Sequence, residues 1–378
     1  MQNKRLKIGC ITSSISYYGG WDTLSKGIIG AVAKEHDVVV LTAKGYKNDP
    51  VSYPTHSVLP HHYISFGLGN QWKVFWNCMK YFRGCDAIHT FIEPFTPGAA
   101  LASKILGIPL FITLAGTYCV IPKAGGFKGF VKRIIMKFMY NQASFIATGS
   151  YKNIELIEEV MSLNNKWKFV PFGVDPDKFK ITKTYEPSPY PFLFTVGEVK
   201  ARKGADYVIK ALAILKDEFP ELRYKIAGND KTKPNFVASL KSLIADNGLE
   251  DRVEILGRVG EDDLLRYYST CTAFVLAAQT LGRDSFEGFP MVFYESHSYG
   301  APLIATKGYG SEYVIKDGYN GFLVPQGNVE ELAEAIRKIV SNPTLRDQMS
   351  QNAISEANKH SWDAISLNYL EAYNKIVK

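Results

Sequence analysis

The chain has 378 residues, 46% of them hydrophobic and 21% charged, with a formal net charge of +7. That is more chain than one hydrophobic core serves, so two domains of ordinary α/β composition are expected. No apolar run is long enough to span a bilayer, and the segment from Met1 to Thr12 is too polar for a secretory signal. The five cysteines, odd in number and without C-x-x-C spacing, argue against a disulfide frame or structural zinc and for a reduced, cytoplasmic setting.

Taken in chain order, the first half alternates short apolar runs with helical periodicity. A strand is expected over 6–12, followed by a turn at Gly19-Gly20 and a helix over 22–34. A strand follows over 37–42. The Pro-, His- and Ser-rich stretch 48–69 reads as loop carrying one short strand. Helices are then expected over 71–82, 98–106, 130–140 and 153–161, alternating with strands over 87–92, 110–114, 145–148 and 167–171. Four prolines without apolar periodicity mark 175–191 as an interdomain linker. Strands resume over 192–196, 224–227, 253–256, 273–277, 303–306 and 322–324, with helices between them, the clearest over 329–340. A last helix over 362–377 closes the chain. Short buried strands alternating with helices imply parallel, doubly wound sheets. The expected first domain is 1–175, with the helix of 362–378 crossing back to it, and the second is 189–360.

Charge divides along the same line. From Met1 to Asp175 there are 19 Lys and Arg against 10 Asp and Glu, a balance of +9, which leaves −2 for the remainder. No acid occurs between Glu93 and Glu155, where seven basic residues stand. A one-sided charge of this kind points to an anionic surface as partner. Two stretches, 72–83 and 127–140, mix Trp, Phe and Tyr with Lys and Arg, as helices lying on an anionic bilayer do. No nucleic-acid-binding module is present.

Four loops fall at expected carboxyl ends of strands, where open α/β sheets bind ligands. Gly19 and Gly20 let backbone approach a phosphate. In 197–204 two glycines bracket Lys200, Arg202 and Lys203, a basic clamp without a Walker pattern. Arg258 stands in a glycine turn after the strand over 253–256. In 285–295, Glu287 precedes a helix and Glu295 lies about one turn inside it. The amides of Gly288, Phe289, Pro290's neighbour Met291, and Val292 surround that helix start, where phosphate or sugar hydroxyls dock. Taken singly, each loop has a plain alternative as a glycine turn or a solvated charge. A paired-carboxylate hydrolase is set aside because Glu295, inside a helix, has no reason to face a scissile bond.

The stretches TVGEVKARKGADYVIKAL (195–212), VEILGRVGEDDLLRYYSTCTAFVLAAQ (253–279), FEGFPMVFYESHSYGAPLIAT (286–306) and SEYVIKDGYNGFLVPQGNVEELAEAI (311–336), in this order, resemble the retaining glycosyltransferases of family 4, which have the GT-B fold. YYGGWDTL, DAIHTF, FIATGSYKN and FVPFGVDPDKF extend the likeness more loosely into the first half. The resemblance implies two Rossmann-like domains facing across a cleft, the first on the acceptor side and the second binding a nucleotide sugar. It implies that Glu295 binds ribose hydroxyls and that Glu287 lies near the donor sugar. Gly288, Phe289 and Pro290 would meet sugar hydroxyls, Met291 and Val292 the phosphates, and Arg202 with Lys203 the leaving diphosphate. Gly20 would let the first domain close over that group.

Two departures stand out. Glu198 follows the clamp glycine where many relatives carry Arg, with Lys200 available as a substitute. Ala115 stands where many carry a His near the donor sugar, with Thr117 close by in sequence; His89 lies in a stretch where relatives often carry a His too. The implied activity is transfer of a sugar from a nucleoside-diphosphate sugar to a glycan or lipid-linked glycan acceptor, with no resident cofactor and no metal. The place of action would be the cytoplasm, on the inner face of the plasma membrane. The alternatives are a nucleotide-sugar epimerase on the same fold and a non-catalytic sugar-nucleotide-binding protein.

Overall fold

A computed structural model of the chain describes residues 4–17, 19–61, 67–123, 125–175, 178–179, 185–308 and 310–377. The chain divides into two units. The first is Met1–Gly173 together with Trp362–Lys378, and the second is Val174–Ser361.

The first unit runs β1 (Lys7–Ile11), α1 (Gly20–Glu35), β2 (Asp37–Ala43), β3 (Thr55–Leu59), α2 (Leu68–Tyr81), β4 (Ala87–Thr90), α3 (Thr96–Leu106), β5 (Leu110–Leu114), α4 (Gly126–Gln142), β6 (Ala143–Thr148), α5 (Tyr151–Glu158) and β7 (Trp167–Phe169). Its seven strands are ordered β3-β2-β1-β4-β5-β6-β7, every pair parallel. β4 and β5 are buried at every residue, as expected of central strands covered on both faces.

The second unit repeats the plan with β8 (Phe192–Val196), α6 (Ala205–Leu215), β9 (Arg223–Ala227), α7 (Pro234–Asp246), β10 (Val253–Gly257), α8 (Glu261–Thr270), β11 (Ala273–Leu276), α9 (Val292–Ser298), β12 (Leu303–Thr306), α10 (Ser311–Val314), β13 (Gly321–Val324), α11 (Val329–Ser341) and α12 (Pro343–Asn358). Its order is β10-β9-β8-β11-β12-β13, again parallel throughout. α6 shows why the chain folds this way locally. Val208, Ile209, Leu212 and Leu215 recur at helical spacing and are buried against Leu193, Ile226 and Val275. Each such side chain contributes roughly 1.5–3 kcal/mol on burial. In both sheets the strand order reverses at one point, between β1 and β4 and between β8 and β11, and it is there that ligand crevices form.

The last helix, α13 (Trp362–Ile376), packs on α1 inside the first unit. Gly27 makes room for it: a Cβ there would lie 2.3 Å from the Trp362 ring. Tyr373 of the same helix hydrogen-bonds His89 Nδ1, while His89 Nε2 pairs with Thr113 Oγ1 at 2.8 Å. Burial lowers the His89 pKa to about 3, so this histidine is a neutral part of the core.

Elsewhere the structure differs from the sequence reading. The stretch expected as a linker begins inside the second unit. Val174 donates to the His360 carbonyl, Lys178 pairs with Glu261 at 3.3 Å and Tyr185 Oη donates to Asp262 at 3.1 Å. Residues 176, 177 and 180–184 lie outside the described part. α2 and α4 start earlier than periodicity indicates, and α12, which buries little apolar surface, was hidden by its polar sequence.

Candidate functional site

Lys200, Arg202, Lys203 and the 287–292 segment follow the carboxyl ends of β8 and β11, beside the point where strand order reverses. Beyond β8 the chain makes a 3-10 turn over Ala201–Lys203. Gly204 closes that turn at φ 69°, a conformation that an L side chain adopts only with strain. A Cβ at Gly204 would also sit 1.7 Å from the Ala277 carbonyl oxygen. The turn is thus pressed onto the end of β11, where the Gln279 amide donates to the Arg202 carbonyl at 2.9 Å.

This packing sets two cations on one acid. Arg202 Nη1 donates to Glu287 Oε2 at 2.6 Å and to the Phe286 carbonyl at 2.7 Å. Lys203 Nζ reaches the same Glu287 oxygen at 2.8 Å. Burial works to raise the Glu287 pKa, but the charges of Lys203 and Arg202 together overcome it and hold the carboxyl below the usual range. Glu287 is therefore ionised at neutral pH. The three charges leave an excess of one positive charge, and the guanidinium and ammonium keep donors beyond those that Glu287 uses. A small pocket opens next to them, lined by Glu287, Pro290, Gln279, Thr306 and Ser311.

Glu295 lies in the first turn of α9 and is half-buried. Tyr268 Oη donates to its Oε2 at 3.0 Å. Burial raises its pKa, against the Tyr268 hydrogen bond and the Lys178 charge, which lower it. Gly288, Phe289, Pro290, Met291 and Val292 form the chain between the two glutamates, with α9 beginning at Val292.

Lys200 is not a free member of the clamp. It pairs with Glu198, whose other oxygen accepts from Thr232 Oγ1 at 2.7 Å. The departure at Glu198 thus brings its own counter-ion. Arg258 is exposed beyond β10, the edge strand two places away from β8, so the sheet does not bring it to the Glu287 cluster. Gly19 and Gly20 open α1 in the first unit, with Gly19 in extended backbone. The side chain of Thr117 lies outside the described part.

One buried acid escaped the sequence reading. Glu93, just beyond β4, accepts hydrogen bonds from the amides of Ala115 and Gly116. Its signal was there, since it is an acid at a strand end and the last before the acid-free stretch. Among the described residues no group of three or more His, Cys, Asp or Glu is arranged to hold a metal ion.

Residues 176–356 match the family described as Glycosyl transferases group 1. The chain is 26% identical over 349 residues to an uncharacterised glycosyltransferase of Methanocaldococcus jannaschii, covering 91% of each. It is 31% identical to the alpha-D-kanosaminyltransferase of Streptomyces kanamyceticus over 163 residues, 43% of this chain and 40% of that one. Among solved structures, Anabaena HepE in complex with UDP-glucose superimposes with a TM-score of 0.76 at 19% identity, over 98% of this chain and 100% of that one.

Proposed function

Starting from a chain that is a glycosyltransferase family 4-like protein with the GT-B fold, we propose that it moves a sugar, with retention of configuration, from a nucleoside-diphosphate sugar to an acceptor hydroxyl. The observation that carries this reading is the Arg202–Lys203–Glu287 cluster at the point where strand order reverses in the second sheet. The HepE structures hold UDP and UDP-glucose, which makes a uridine-diphosphate sugar the first donor to try.

In this reading the bond from the sugar's anomeric carbon to the diphosphate oxygen breaks. Arg202 and Lys203 meet the charge that grows on the departing oxygens, with no proton transfer to the protein. The acceptor oxygen bonds to the same face, and its proton passes to the leaving diphosphate. Glu287 holds the two cations in place and faces the donor sugar. The Gly288–Phe289–Pro290 backbone meets sugar hydroxyls, and Met291 and Val292 the phosphates. Gly19 and Gly20, in the first domain, offer backbone suited to meeting phosphate. Lys200 acts only when it leaves Glu198, and Arg258 lies at the margin, toward the base.

Glu295 accepts the ribose hydroxyls. Glu295→Ala removes a charge-assisted acceptor worth roughly 1.5–3 kcal/mol, so affinity for the matching nucleoside diphosphate falls tens-fold. Calorimetry tests this; wild-type affinity in the variant sinks the assignment.

The acceptor in this proposal is a glycan or lipid-linked glycan, met at an anionic membrane surface on the cytoplasmic side. Among the described residues no helix is long and apolar enough to cross a membrane. However, α2, α3 and α4 pack side by side and carry no acid. They expose Trp72, Trp76, Phe127 and Phe130, at 54%, 56%, 81% and 55%. Arg133 donates to the Pro122 and Lys123 carbonyls, which fixes its guanidinium in place while leaving its charge. Lys73, Lys80, Lys128 and Lys137 are the basic groups to replace. Each contributes about 1 kcal/mol near an anionic bilayer, screened by salt. The protein should pellet with phosphatidylserine vesicles at low salt and be released at high salt. The fourfold Gln variant should stay in the supernatant with nucleotide binding intact. A wild-type protein that ignores the vesicles removes the membrane from this account.

A further inference from the structure

The first unit ends its sheet in a polar cluster that the donor-site reading leaves unused. β4, β5 and β6 are neighbours, and the residues just past their carboxyl ends converge. Glu93, fully buried, uses one oxygen to accept from Ala115 N at 3.1 Å and Gly116 N at 3.2 Å. Its second oxygen has no hydrogen-bond partner among the described residues. From the far side Asn153 of α5 points its Nδ2 at the Gly116 carbonyl, 3.5 Å away, and its own buried Oδ1 is likewise without a partner. Burial pushes the Glu93 pKa up to about 7, so this side chain is costly where it sits.

What it grips is a short loop with an aromatic edge. Gly116 lies against Trp21 of α1: a Cβ there would be 3.2 Å from the indole. Tyr118, two residues on, is 42% exposed, and its ring centre lies 5.3 Å from that of Trp21, tilted by 49°. The pair stands beside the point where strand order reverses between β1 and β4. A pyranose has one face of C–H bonds and a rim of hydroxyls. The exposed Tyr118 edge matches the C–H face, and the buried polar groups beneath it fix the loop that carries it.

We propose that the Trp21–Tyr118 pair is a subsite for the sugar ring of the acceptor, and that Glu93 is a positioning residue that sets it by holding the Ala115 and Gly116 amides. The proposal rests on the glycosyltransferase reading.

The test uses the full chain and methyl glycosides of glucose, galactose and mannose, observed by saturation-transfer NMR, with nucleoside-diphosphate affinity measured alongside. The wild-type protein should give saturation transfer from at least one glycoside, strongest at its C–H face. Tyr118→Ala, at an exposed position, and Trp21→Ala should lose the signal. Glu93→Gln keeps the accepting oxygen and should bind glycoside as the wild type does. Glu93→Ala, or Glu93→Asp, whose shorter arm cannot span both amides, should weaken glycoside binding about tenfold, the size expected for one or two lost hydrogen bonds. All should bind nucleotide unchanged, which a general loss of structure would not allow. No glycoside signal in the wild type, or undiminished signal in Tyr118→Ala and Trp21→Ala, overturns the subsite. Wild-type glycoside affinity in both Glu93→Ala and Glu93→Asp overturns the positioning role. Either failure with nucleotide binding intact leaves the transferase reading standing; a wild-type protein that binds no nucleoside diphosphate counts against that reading instead.

Discussion

Arg202→Ala and Lys203→Ala should each lower turnover by about 100-fold or more, the loss typical when one preorganised donor is removed from developing charge. Nucleotide affinity should fall far less, because the charge that these groups meet is larger in the transition state than in the bound donor. The geometry makes the two substitutions comparable, since both cations hold the same Glu287 oxygen, at 2.6 and 2.8 Å. Removing either leaves Glu287 with one counter-ion, so the loop stays folded. It also relieves part of the opposition to burial, so the Glu287 pKa rises toward the ordinary range. The sign for stability follows. A carboxyl with a depressed folded pKa contributes stability that is present above its unfolded pKa and lost as pH falls through the folded one. Both variants should therefore lose stability at neutral pH and show a shallower acid limb than the wild type, because the folded and unfolded pKa values of Glu287 draw together. Initial rates of nucleoside-diphosphate release, with calorimetric affinities beside them, separate the effects. A variant with wild-type turnover is not part of the clamp.

Gly204→Ala is the second large effect. At φ 69° an alanine is strained by roughly 1–2 kcal/mol. Its Cβ would meet the Ala277 carbonyl oxygen at 1.7 Å, and that atom is backbone in the buried end of the sheet, so one strand end must move. A total of roughly 2–4 kcal/mol is expected, with turnover reduced even where the protein is folded, because the displaced turn carries Arg202 and Lys203. Gly248 is the control. It has a similar φ of 63° and nothing within 4 Å of its would-be Cβ. Gly248→Ala should cost only about 1–2 kcal/mol and leave turnover unchanged. Equal losses of stability in the two variants would contradict the close approach at Ala277.

Much of this was legible in the sequence. Buried parallel strands are short apolar runs between helical periods, so β8, β11 and β12 read directly from 192–196, 273–277 and 303–306. The clamp was legible because glycines bracket three basic residues after a strand. β3 was harder, because it is an edge strand with only Leu59 buried. α12 was missed because a helix that buries Met349, Ala353, Glu356 and Ala357 has no strong apolar stripe. The counter-ions were beyond reach: that Glu198 takes Lys200, and that Glu287 takes Arg202 across 85 residues, are facts of tertiary packing. Glu93 was the instructive miss. An acid at a strand end looks solvated in a sequence, and only the fold shows that its oxygen holds two amides of the loop past the neighbouring strand.

The central claim, that the chain transfers a sugar from a nucleoside-diphosphate donor with retention, is met most directly by following donor breakdown with water as the acceptor. A panel of nucleoside-diphosphate α-sugars, UDP-glucose first, is incubated with the wild-type protein, and proton NMR records the anomer of the first free sugar before it equilibrates. The account predicts release of nucleoside diphosphate from at least one donor, the α-anomer appearing first, and loss of both signals in Arg202→Ala. Release of the β-anomer first, or no release from any donor, would contradict it.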